Sequence, residues 1–147
     1  MIETSPMSMH ENPRPVILVV DDDASLRELL KLQLAAEGYD VRLADDAIVA
    51  GRALMQDPAD VMVVDVALPY IDGIDFVAAL KADMTLPEVP VVFITGNAAV
   101  VDRARALRAP CLKKPFSVLQ LLETVRRELA ARPPRRRARL DSLSPGT

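Results

Sequence analysis

Four segments of the chain run into side chains that could act on phosphorus or hold a hard cation. Val16–Val20 leads into Asp21-Asp22-Asp23, Val61–Val64 into Asp65, Pro90–Ile94 into Thr95, and a short stretch from Cys111 into Lys113-Lys114-Pro115. If these ends meet, several carboxylates, a hydroxyl and an ammonium share one place. Clustered carboxylates repel, and burial raises the cost of keeping them ionised. A hard divalent cation relieves both problems, and Mg²⁺ takes a few carboxylates together with water and phosphate oxygens. A carboxylate can also attack phosphorus to give an aspartyl-phosphate. That reaction needs in-line positioning and neutralised charge, and a cation and a Lys ammonium supply the charge.

The composition removes most competing chemistry. Among 147 residues there is one His, His10, near the start, and one Cys, Cys111. Zinc sites built on His and Cys, Ser-His-Asp catalysis and a disulfide framework are therefore not expected. The five glycines form neither a G-x-G-x-x-G fingerprint nor a P-loop. Uninterrupted apolar runs fall far short of the roughly 18 residues that span a bilayer. The N-terminus lacks the basic and apolar regions of a secretory signal, so a cytoplasmic location is expected, with no membrane partner. The formal charge of -3 is unevenly spread, with an acidic body and a run of arginines after Arg132-Pro133-Pro134.

The elements that must position the site alternate in type. Strands are expected at Val16–Val20, Tyr39–Leu43, Val61–Asp65, Pro90–Thr95 and Cys111–Lys113. Helices are expected at Ala24–Ala36, Asp46–Met55, Ile74–Ala82, Ala98–Leu107 and Ser117–Ala131, on apolar residues at helical spacing. Gly38 suits the end of the first helix, and Ser117 with Gln120 reads as a capping box. Near-continuous Val/Ile runs suit strands buried on both faces of a parallel sheet. The class is α/β, doubly wound, and in such sheets ligands sit at the carboxyl ends of the strands. Residues 16–131 form the domain, with a flexible tail at 1–15 and a basic tail at 132–147.

The segments VILVVDDDASLRELL, VMVVDVALPYIDGIDF, PVVFITG and KKPF resemble the receiver domain of two-component response regulators. The spacing D-x-x-x-P-x-x-D-G starting at Asp65 carries much of the likeness. The resemblance implies a CheY-like, flavodoxin-like (βα)5 fold with strand order 2-1-3-4-5. It implies Asp65 as phosphoacceptor, Mg²⁺ held by Asp22 directly, by Asp21 through water and by the backbone carbonyl of Ala67, Thr95 as the switch hydroxyl, and Lys114 as the family's Lys. It also implies a cis bond at Lys114-Pro115. The phosphoryl donor would be a sensor histidine kinase or histidine phosphotransfer protein, and the output contact with a downstream protein. Self-association as a homodimer is left open. No enzyme activity is expected beyond self-catalysed phosphorylation and dephosphorylation.

The chain departs from the family at Cys111, three residues before Lys114, where many receivers carry an aromatic switch. Ala67 is smaller than the common residue there, and with Asn97 it flanks the path of water to the acyl phosphate in this family. VVFITG is similar to receivers of the FixJ type, which carry a DNA-binding domain. A single-domain regulator, relay shuttle or phosphate sink is expected, or the receiver part of a truncated transcription regulator. A Mg²⁺-dependent aspartyl phosphatase would need a second Asp where Ala67 stands. Nucleic-acid binding by Arg135, Arg136, Arg137 and Arg139 is not expected, because no aromatic residues or helix-turn-helix accompany them. Asp23 reads as a helix cap, with Ser25 and Glu28 as a competing capping box. Asp45, Asp46, Asp57 and Asp60 read as solvated loop or cap acids. Cys111 reads as a small buried hydrophobe.

Overall fold

The structure is a computed structural model, and residues 13–132 are described. Five parallel strands, β1 (Val16–Val20), β2 (Asp40–Ala44), β3 (Val61–Asp65), β4 (Val91–Thr95) and β5 (Cys111–Lys113), lie in the order β2-β1-β3-β4-β5. The connecting helices are α1 (Ala24–Ala36), α2 (Ala47–Gln56), α3 (Gly73–Ala82), α4 (Val101–Ala106) and α5 (Val118–Ala131). The expected order 2-1-3-4-5 and α/β class are met.

Alternate residues of each strand point to opposite faces, and both faces are covered. Leu18, Val20, Met62, Val64, Val91 and Phe93 pack on one side with Ala50, Leu54, Phe76, Val77 and Ala104 of α2, α3 and α4. Ile17, Val19, Val61, Val63, Val92 and Ile94 pack on the other with Leu30, Leu34, Leu121 and Val125 of α1 and α5. This two-sided burial is why the central strands are apolar throughout instead of alternating. Among the described residues, no helix is long and apolar enough to cross a membrane.

Side chains in the loops start the helices. Asp23 caps α1 by accepting from the amides of Ser25 (3.0 Å) and Leu26 (3.2 Å). Asp46 accepts from Val49 at 2.8 Å, Asp72 from Asp75 at 2.8 Å and Ser117 from Gln120 at 3.0 Å. Each satisfies an amide that the first helical turn leaves without a partner. Gly38, at φ 96°, closes α1 in a conformation that other residues avoid.

Several sequence expectations change in detail. The fourth helical stretch is a 3-10 turn at Ala98–Val100 followed by only six α-helical residues. Asp23, not Ser25, caps α1, because the chain turns into the helix one residue after the acidic triplet. Asp60 is not a solvated acid. Its side chain is 14% exposed, Oδ2 accepts from the Val16 amide at 2.7 Å, and Oδ1 lies 3.6 Å from Arg132 Nε. Asp57 pairs with Arg42 at 2.8 Å. Arg135, Arg136, Arg137 and Arg139, like His10, lie outside the described residues.

Candidate functional site

Strand register brings the chemistry together. Val20 pairs with Val64, so Asp21, one residue on, stands level with Asp65 at the end of β3. Asp65 pairs with Ile94, which sets Thr95 one step further out, and Thr95 pairs with Lys113. Lys114 follows at once, and its amide donates to Thr95 O at 2.7 Å. Lys113 is exposed. The bond between Lys114 and Pro115 is cis, as the resemblance implies.

The acids occupy different environments. Asp21, Asp65 and Thr95 are buried, at 0, 4 and 3% exposure, whereas Asp22 is exposed. Lys114 Nζ lies 2.9 Å from Asp65 Oδ2 and 3.8 Å from Asp21 Oδ2. Asp65 Oδ1 accepts from the amide of Ala67 at 3.0 Å, so it is the Ala67 N–H that faces Asp65. Thr95 Oγ1 accepts from the Asn97 amide at 3.0 Å and donates to the Asn97 carbonyl at 3.3 Å. Asn97 Oδ1 in turn caps the 3-10 turn through the Ala99 amide at 2.9 Å.

Burial, reinforced by the charge of Asp65, raises the Asp21 carboxyl from 3.8 to about 6, against the opposing pull of the Asp23 amide and Lys114. Desolvation draws the Lys114 ammonium down, but the hydrogen bond and charge of Asp65, with Asp21, win and raise it. Lys114 therefore stays a cation at neutral pH.

Asp21, Asp22 and Asp65 each offer an oxygen, and these atoms lie within 4.8 Å of one another. Asp21 Oδ2 is buried and has no hydrogen-bond partner. A buried carboxylate oxygen without a donor is costly. Three hard oxygens, one of them orphaned, fit a hard divalent cation.

A glycine shapes the loop beyond Asp65. A Cβ on Gly73 would run into the Asp65 carbonyl oxygen and lie 2.9 Å from Val64 Cγ1. Gly73 N–H donates to Val66 O at 2.7 Å, folding the loop tightly onto the strand end. Elsewhere, a groove of about 270 Å³ opens between α2 and the α3–β4 loop, lined by Leu54, Met62, Leu80, Leu86 and Val89. It lies away from the carboxylates.

The comparisons with known proteins agree with this geometry. Residues 17–126 match the response regulator receiver domain. The chain belongs to the response regulator receiver family. It is 35% identical over 113 residues to the response regulator MprA of Mycobacterium leprae (strain TN), covering 75% of this chain and 49% of that protein. MprA of Mycobacterium ulcerans (strain Agy99) is 36% identical over 113 residues, covering 75% of this chain and 48% of that protein. The receiver thus spans about half the length of the curated relatives it matches. Among solved structures, the chemotaxis response regulator CheY4 of Vibrio cholerae is similar at TM-score 0.72 and 29% identity, over 78% of this chain and 98% of that one. The HemR receiver domain of Leptospira biflexa is similar at TM-score 0.72 and 28% identity, over 82% of this chain and 98% of that one.

Sequence reasoning missed two residues of the receiver's site region. Arg27 donates from Nη1 to the Asp21 carbonyl at 2.7 Å. Arg103 reaches Asp72 and Asp75 at 3.0 Å each. Spacing along a helix could have placed Arg27 on the turn facing the acidic triplet, but nothing local pairs Arg103 with Asp72, 31 residues away.

Proposed function

We propose that this receiver accepts a phosphoryl group on Asp65 from a sensor histidine kinase or histidine phosphotransfer protein and signals through contact with a downstream protein. The observation that carries the reading is the placement of Asp65. It is buried, held by Lys114 at 2.9 Å, and clustered with two further acids, one of which has an orphaned oxygen. Asp22 and Asp65, with Asp21 behind them and the Ala67 carbonyl, would hold Mg²⁺. When bound, the cation neutralises charge that builds on the phosphoryl oxygens.

The residues of the chain then divide the work. An Asp65 oxygen forms the new bond to phosphorus as the donor's N–P bond breaks and the imidazole leaves. Lys114 moves its charge from the carboxylate to a phosphoryl oxygen. Thr95 exchanges its long bond to Asn97 O for another phosphoryl oxygen. The domain thereby shifts its population toward a second arrangement. Cys111 offers no aromatic ring to follow Thr95, so the usual Thr-aromatic coupling is absent from this design. The reaction is self-catalysed in each direction, and the setting is the cytoplasm.

The half-length match to MprA favours a second reading, the receiver part of a longer regulator. A phosphatase reading is disfavoured by Ala67, which stands where an acid/base carboxylate is needed. Incubation with acetyl phosphate, with and without Mg²⁺, tests the proposal on wild type and Asp65→Asn. Labelling is expected only in wild type with Mg²⁺, and labelling of Asp65→Asn would overturn it.

A further inference from the structure

Every polar group of Asp21 but one is anchored. Its amide donates to Ala44 O at 3.1 Å. Its Oδ1 accepts from the Asp23 amide at 2.8 Å. Its carbonyl accepts from Arg27 Nη1 at 2.7 Å. Only Oδ2 is left over, buried and without a hydrogen-bond donor.

The Arg27 contact has geometric reach. A peptide unit is planar, so the Asp21 carbonyl and the Asp22 nitrogen turn together. Pinning that oxygen sets the direction in which Asp22 leaves the strand. The Arg27 main chain is held in the first turn of α1, where its amide donates to Asp23 O at 3.0 Å. Arg27 is partly buried, and its planar guanidinium loses less freedom per hydrogen bond than a flexible ammonium would.

We infer that Arg27 is a positioning residue for the divalent cation, clamping the Asp21–Asp22 peptide so that both carboxylates face Asp65. The inference rests on the Mg²⁺ reading above and adds a residue that touches neither cation nor phosphoryl group. Residues in this role change metal affinity by about 10- to 100-fold when removed.

The sign of the effect separates positioning from charge. Removing a cation beside an acidic cluster would, by electrostatics alone, tighten Mg²⁺ binding. Loss of a clamp loosens it. Calorimetric titration of the full chain with Mg²⁺ alone is expected to show about tenfold weaker binding for Arg27→Ala. Arg27→Lys keeps the charge and is expected to fall between Ala and wild type, so the inference survives a poorly folded Ala variant. With acetyl phosphate, the Mg²⁺ concentration for half-maximal labelling should rise while the limiting rate at saturating Mg²⁺ stays unchanged. Unchanged or tighter binding in both variants, or equal losses in limiting rate and in thermal stability in EDTA, would overturn the inference. If wild type itself binds no Mg²⁺, or Asp22→Asn binds as well as wild type, the metal reading fails instead.

Discussion

Arg103 Nη1 of α4 donates to Asp72 Oδ2 at 3.0 Å, and Nη2 reaches Asp75 Oδ1 at 3.0 Å. Asp72 is at once the N-cap of α3 and the second acid of the D-x-x-x-P-x-x-D-G segment. One side chain thus ties the helix after Thr95 to the loop after Asp65. Desolvation pushes the Asp72 carboxyl up, but hydrogen bonds from the Asp75 amide and the Arg103 guanidinium, with the charge of Arg103, outweigh it and hold the group below its ordinary value.

The tie predicts different outcomes for its two ends. Arg103→Ala should leave α3 capped but loosen α4, seen as faster amide hydrogen exchange over residues 101–106. Asp72→Ala should cost about 1 kcal/mol through the lost cap. Asp72→Asn retains a capping oxygen and should lose less. Equal denaturation midpoints for Asp72→Ala and wild type would refute the cap assignment.

Asp21 predicts an unusual pH slope in the cation-free protein. Its folded value of about 6 lies above the ordinary 3.8, so the folded state holds the proton more tightly than the unfolded chain. The stability this lends is fully present below about pH 4 and is lost as pH rises through about 6, on the order of 2 kcal/mol. Denaturation midpoints in EDTA between pH 4 and 8 should fall for wild type relative to Asp21→Asn. Asp21→Asn should be the more stable of the two at neutral pH.

Gly73→Ala should overpack the turn beyond β3. The added methyl meets the Asp65 carbonyl and Val64, and insertions into packed regions cost about 1–3 kcal/mol. Because the displaced atoms belong to Asp65 and its neighbours, acetyl phosphate labelling should fall as well. A variant with wild-type stability and labelling would show that the loop yields.

Cys111→Ala should leave phosphorylation intact, since the thiol is partly buried at the far side of β4 from Asp65. Burial raises its pKa, so alkylation at pH 7 should be slow. Loss of labelling in this variant, or rapid alkylation, would count against a packing role.

Much of the fold is legible in the sequence because its signals are local. VILVV and VVFI are apolar at every position, which suits strands covered on both faces. Lys114 is separable from Lys113 by the proline that follows it. What escapes is set by tertiary contact. Asp60 looks like any loop acid until β1 and the end of α5 arrive beside it. Arg27 reads as a surface position on α1, and only the turn of Asp21-Asp22-Asp23 gives its guanidinium a carbonyl to hold. The weak helix after Thr95 shortens because Asn97 spends its side chain on a 3-10 turn.

The two oxygens of Asp60 hold the entry to β1 and the residue just past α5. The start of β1 and the end of α5 therefore meet on the amino edge of the sheet, with Asp21, Asp22 and Asp65 at the opposite edge. A probe placed at Pro15 or Arg132 would sit at the edge opposite Asp21, Asp22 and Asp65. Joining residues 15 and 132 by a short linker and reopening the chain in a distant loop should preserve the domain's architecture.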